Sequence, residues 1–130
     1  MIIFFNGSVM RGEPLHGNLE GTLFLREAQT APEYRLFSLG NDTYPGMIYV
    51  GPVHGAISVP GELYEVPPDR LQRVLEGEPP FLYLGEVFLV NGEEVQGMLC
   101  EEDNACLYPE ITHFGGWRTY LRLLRKKAAS

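Results

Sequence analysis

The sequence predicts an α+β fold: a mostly antiparallel, mixed β-sheet or barrel of six or seven strands with two or three short helices. Three observations carry this expectation. Asn91-Gly92 stands between two apolar-rich segments, 82–90 and Glu94–Cys100, which is the strongest hairpin signal in the chain. Short apolar or alternating segments recur from end to end, punctuated by 15 Gly and 10 Pro, as strands divided by turns require. Trp117, Tyr120, Leu121 and Leu124 recur at i, i+3, i+4 and i+7, so residues 116–126 form an amphipathic closing helix.

The elements follow in order. Residues 2–5 form a buried apolar strand that stops at Asn6-Gly7-Ser8, and residues 12–19 make a turn or a single helical turn. Thr22, Phe24 and Arg26 alternate, as do Tyr34, Leu36 and Ser38, giving two strands. Gly40-Asn41-Asp42 is a turn, Tyr44-Pro45-Gly46 another, and residues 47–50 a strand broken at Gly51-Pro52. A longer strand spans 56–66 with a bulge at Pro60-Gly61. Pro67-Pro68-Asp69 opens a short helix, Leu71, Val74 and Leu75 give it an apolar face, and Gly77 stops it. Val87, Leu89, Val95 and Leu99 supply the core faces of the hairpin.

With 130 residues, 45% hydrophobic and 21% charged, the composition fits one compact domain over 1–130 and excludes a disordered chain. No apolar run approaches the roughly 18 residues of a membrane span, and the opening residues carry neither a basic leader nor a cleavage site, so the expected location is cytoplasmic. The net charge of -7 is unevenly spread, because Arg122, Arg125, Lys126 and Lys127 cluster at the end of the closing helix, where cations suit the helix dipole. The acidic remainder repels phosphate backbones, which argues against nucleic acid as a partner. Cys100 and Cys106 lack the spacing of a zinc site and are expected as a buried thiol and a loop thiol.

No dinucleotide fingerprint, P-loop or nucleophile elbow is present, so neither a cofactor nor a metal is expected. The candidate chemistry lies in polar residues at loop ends: Asn6, Ser8, Arg11, His16, Glu62, Glu76, Glu78, His113 and Arg118. N–H groups of Gly7 and Ser8, freed at a strand exit, can receive a carboxylate or amide oxygen. His16 can donate a proton near neutral pH, and Arg11 or Arg118 can hold a carboxylate in a planar fork. Glu62 lies in an alternating strand, and facing inward it needs a partner or titrates upward.

Phe4-Phe5-Asn6-Gly7-Ser8-Val9 with Arg11-Gly12 resembles the N-terminal signature of the gamma-glutamylcyclotransferase-like fold. Leu36-Phe37-Ser38, Tyr44-Pro45-Gly46, the run from Gly61 through Pro67, and Gly97-Met98-Leu99-Cys100-Glu101 fall in the order that family has. More specifically, Phe4-Phe5-Asn6-Gly7, His16 with Leu19, and the ending Ile111-Thr112-His113-Phe114-Gly115-Gly116-Trp117-Arg118 are similar to the allophanate hydrolase C-terminal domain. That resemblance implies decarboxylation of N-carboxycarbamate, the anion left when an amidase has removed ammonia. It matches Asn6 and His16 to the family's loop asparagine and histidine; Gly7, Ser8, Val9, Arg11, Tyr44 and Arg118 are the candidates from the residues themselves for holding a small anionic substrate, and Glu62 is a candidate wall or supporting acid. The broader resemblance implies, as the alternative, a cyclotransferase acting on gamma-glutamyl amines or peptides, whose glutamate is nearest matched by Glu76; Arg73 stands at that pattern's Asp position and Asn6 at its loop tyrosine. A third reading is a non-catalytic partner docked on an amidase subunit.

Overall fold

A computed structural model describes residues 1–129, in which seven strands form two sheets. Five strands, β1 (Ile2–Phe5), β2 (Leu23–Gln29), β5 (Pro60–Glu65), β6 (Leu82–Phe88) and β7 (Glu94–Cys100), lie in the order β2-β5-β1-β7-β6. All neighbours are antiparallel except β1 and β7. β3 (Tyr34–Leu39) and β4 (Tyr44–Tyr49) pair as a separate antiparallel ribbon. The helices are α1 (Pro68–Glu76), a single turn α2 (Glu102–Ala105) and α3 (Trp117–Ala129), with 3-10 turns at His16–Leu19 and Thr112–Phe114.

The central position of β1 explains its unbroken apolar run. Phe4 joins one core with Tyr34, Leu36, Met47, Leu63 and Trp117, while Ile3 and Phe5 join a second with Val9, Leu19, Tyr64 and Val74. A strand covered on both faces has no polar side to show. β5 alternates as the sequence predicts, with Leu63 in the first core and Glu62 and Tyr64 on the opposite face.

α1 starts on Pro67 in extended conformation with Pro68 at its first position, and it ends where the Gly77 N–H closes on the Arg73 and Val74 carbonyls. The 3-10 turn at 112–114 is closed by Gly115 in the left-handed region, φ 86°, which lets the chain reverse into α3 and bury Trp117 at 2% exposure.

Three local expectations are corrected. Tyr44-Pro45-Gly46 is not a turn but the first half of β4, with Pro45 opposite Ser38; a ribbon draws on only alternate N–H groups, so proline fits there. The strand expected over 56–66 is confined to Pro60–Glu65, with Ile57 held to Tyr34 by an isolated bridge. The bulge lies not at Pro60-Gly61 but on the facing edge strand, between Phe24 and Arg26; Pro60 sits at its strand's first position, where a missing donor is tolerated.

Candidate functional site

The loop leaving β1 is buried through residues 6–10. Its carbonyls are spoken for: Gly7 O accepts from Met10 N, Ser8 O from Leu15 N, and Val9 O from His16 Nδ1 at 2.9 Å. A carbonyl only accepts, so His16 carries a proton on Nδ1. With the carbonyls turned toward residues 10–16, the N–H groups of Gly7, Ser8 and Val9 form the loop's unspent polar edge, with no acceptor among the described residues. Gly7 packs so tightly on β4 that an added Cβ would stand 2.5 Å from the Pro45 ring. No larger residue leaves the loop in this position.

That loop forms one wall of a narrow cleft, closed opposite by Tyr44 and Pro45, by Leu82 and Met98, and by Glu78. The free volume is about 10 Å³, room for a single water, so a larger ligand must displace part of the wall. Three buried side-chain polar atoms lack a partner among the described residues, and two of them belong to this cleft: Asn6 Nδ2 and Glu78 Oε1. Burial pushes the Glu78 carboxyl up to about 7. The wall segment that bears it is anchored by Tyr44 Oη, which donates to Pro80 O at 2.9 Å, and by Glu101 N, which donates to Phe81 O. Phe81 holds φ 72°, a left-handed backbone that costs a residue with a Cβ about 1–2 kcal/mol.

Beside the loop, Glu62 is fully buried at 0% exposure. It accepts from Arg11 N at 2.9 Å, Arg11 Nε at 3.0 Å, Tyr64 Oη at 2.8 Å and, more weakly, Arg118 Nη2 at 3.4 Å. Burial alone would raise its pKa, but the Arg11 amide, the Tyr64 hydroxyl and the Arg11 guanidinium outweigh it, and the carboxyl sits below its ordinary value. Burial and the neighbouring carboxylate push the Tyr64 phenol well above its ordinary range. Arg11 also stacks 3.8 Å over the Phe24 ring and reaches Glu27, while Arg118 donates to Arg11 O and pairs with Glu13. A larger cleft of about 290 Å³ opens beside Arg118, between the β2–β5 edge and the start of α3. None of the unpartnered buried atoms lies in it.

The structure therefore gathers Asn6, Gly7, Ser8, Val9 and Tyr44 around one cleft. Arg11, Glu62 and Arg118 form an ion-pair network next to it, in which Arg11 Nε holds the Glu62 carboxylate and Arg118 Nη2 reaches it more weakly. His16 stands behind the loop as a donor to its backbone, its ring 6.4 Å from that of Tyr64. Glu76 is exposed on α1 and accepts from Gln72. Glu78 stood among the polar loop-end residues of the sequence but was given no role there. The helix-stopping Gly77 before it and Pro79-Pro80 after it marked Glu78 as a loop residue, but its burial in the cleft is visible only in the fold.

This fold is shared, at the level of architecture alone, with an AIG2-like protein from Mus musculus: 20% identity, TM-score 0.63, covering 85% of each chain. Sequence is shared more closely with a uropathogenic E. coli-specific protein of known structure, at 38% identity and TM-score 0.86 over 92% of this chain and 94% of that one. Kluyveromyces lactis allophanate hydrolase matches at 28% identity and TM-score 0.86 over 95% of this chain and 21% of its own. Urea amidolyase of Saccharomyces cerevisiae is 33% identical over 128 residues, which are 93% of this chain and 7% of that protein. Residues 1–122 match the model of the allophanate hydrolase C-terminal domain, and the chain belongs to that family.

Proposed function

We propose that this protein acts on a small carbamate or amide anion bound at the 6–9 loop, in a reaction like the decarboxylation of N-carboxycarbamate. The observation that carries the reading is the loop itself, whose Gly7, Ser8 and Val9 line one narrow cleft with their N–H groups unspent among the described residues, beside the unpartnered Asn6 Nδ2. Preorganised donors of this kind suit a compact anion, since they need no reorganisation to meet its charge. Membership of the allophanate hydrolase C-terminal domain family supports the choice of substrate class. Arg11, Glu62 and Arg118 serve as the frame that holds the loop's exit, and His16 fixes the loop from behind.

The proposed partner is an amidase, on the same ground: this chain matches 7% of urea amidolyase and 21% of allophanate hydrolase, both longer chains. The test supplies N-carboxycarbamate in situ by letting an amidase hydrolyse allophanate and follows CO2 release. Adding the protein should accelerate release over the amidase alone, and Asn6→Ala should remove the acceleration. Unchanged CO2 release together with 5-oxoproline formed from gamma-glutamyl dipeptides would put the protein with the cyclotransferases instead. No turnover of either substrate, together with a stable complex with the amidase, would make it a non-catalytic subunit.

A further inference from the structure

We propose that Glu78 is a catalytic residue of this cleft, the acid that gives its proton to the nitrogen of the bound anion. The proposal rests on the loop-site reading above and deepens it. One Glu78 oxygen is buried without a partner in the same narrow space as the unpartnered Asn6 amide and the free loop N–H groups. A carboxylate left so would be costly, whereas a neutral carboxylic acid is not, and it keeps a proton to donate. Burial with no compensating cation holds that proton up to about pH 7. Arg11 and Arg118 are not paired with it: Arg11 holds Glu62 and Glu27, and Arg118 holds Glu13 and, more weakly, Glu62.

The chemistry balances. N–H groups of the loop and the Asn6 amide hold the carboxylates of N-carboxycarbamate, and the Glu78 acid protonates the nitrogen. The bond from nitrogen to one carboxyl carbon then breaks, its electron pair staying on nitrogen. CO2 leaves, carbamate remains, and Glu78, now a carboxylate, recovers its proton from solvent. The net charge of -2 on the substrate becomes one negative charge on carbamate and one on Glu78. The neighbours of Glu78 do not compete for the role. Tyr44 is the other titratable side chain lining the cleft, and burial raises its pKa above the ordinary phenol value, while Arg73 and Glu76 of α1 are exposed.

The experiment uses the full chain and malonate, which replaces the nitrogen of N-carboxycarbamate by carbon and cannot react. Binding is measured by calorimetry from about pH 7 to about pH 9, where malonate stays a dianion, for the wild type, Glu78→Gln and the exposed control Glu76→Gln. Wild type and Glu76→Gln should weaken by about tenfold per pH unit above the Glu78 titration, and Glu78→Gln should bind with a flat profile. In the coupled CO2 assay, Glu78→Gln should lose on the order of 100-fold or more while still binding malonate. Identical pH profiles for wild type and Glu78→Gln, with undiminished CO2 release, would overturn the role of Glu78 and leave the anion site standing. Failure of all three folded proteins to bind malonate would overturn the loop-site reading itself, and this proposal with it.

Discussion

Glu62 and Glu78 are the same side chain with opposite fates. Glu62 is surrounded by donors and stays charged below the ordinary carboxylate range; Glu78 meets none that reach its buried oxygen and holds its proton up to about 7. The consequence for stability is calculable in sign. A carboxyl whose folded pKa is raised from 4.5 to about 7 favours the folded state fully below 4.5, and that advantage is lost as pH rises through about 7. The window is worth up to about 3 kcal/mol. Thermal melts should therefore show Glu78→Gln more stable than wild type at about pH 8 and close to it at about pH 4. Equal offsets at both pH values would mean that the Glu78 carboxyl is solvated. At this scale the sequence was informative about Glu62, since strand alternation set it on the face opposite Leu63, where an inward acid needs a partner. It could not say which partner, because Arg11 and Arg118 are brought to Glu62 across 51 and 56 residues.

Elements were legible wherever a local signal had no rival. Pro67-Pro68-Asp69 and Gly77 bounded α1, Asn91-Gly92 marked the β6–β7 hairpin, and the period of Trp117, Tyr120, Leu121 and Leu124 marked α3. The failures came where turn residues serve a tertiary purpose. Gly46 in β4 stands within contact of Leu39 and Cys100, with no room for a Cβ, so its glycine reflects packing and not a bend. The closing element yields a direct test of anchoring. Trp117 is 2% exposed in the core that holds Phe4, Leu36 and Ile111, and Trp117→Ala should cost about 3–5 kcal/mol, read from denaturant unfolding. Against a typical domain stability of about 5–15 kcal/mol, that loss threatens folding at ordinary temperature. A loss below about 1 kcal/mol would show that α3 is peripheral to the core.

For the whole molecule, one side of the stability profile against pH follows from Glu62. Its pKa is depressed in the folded state, so its contribution is present above the ordinary value of 4.5 and is lost as pH falls through the lower folded value. Acid unfolding of the wild type should steepen below about pH 4.5, and Glu62→Gln should start less stable at neutral pH and lose less on acidification. Curves that run parallel would remove Glu62 from the acid response.

The family resemblance pointed to the 6–9 loop as the candidate site, while periodicity, turn residues and composition determined the α+β class and the presence of most strands and helices. Those are properties of neighbouring residues, and short-range sterics and hydrophobic patterning express them directly. Tertiary structure alone decided that β1 is covered on both faces, that the two arginines turn inward to Glu62, and that Glu78 enters the cleft while Glu76 stays in solvent. Each of those outcomes depends on the exclusion of water by segments far apart in the chain, and the charge state of a carboxyl is set by that exclusion and not by its place in the sequence.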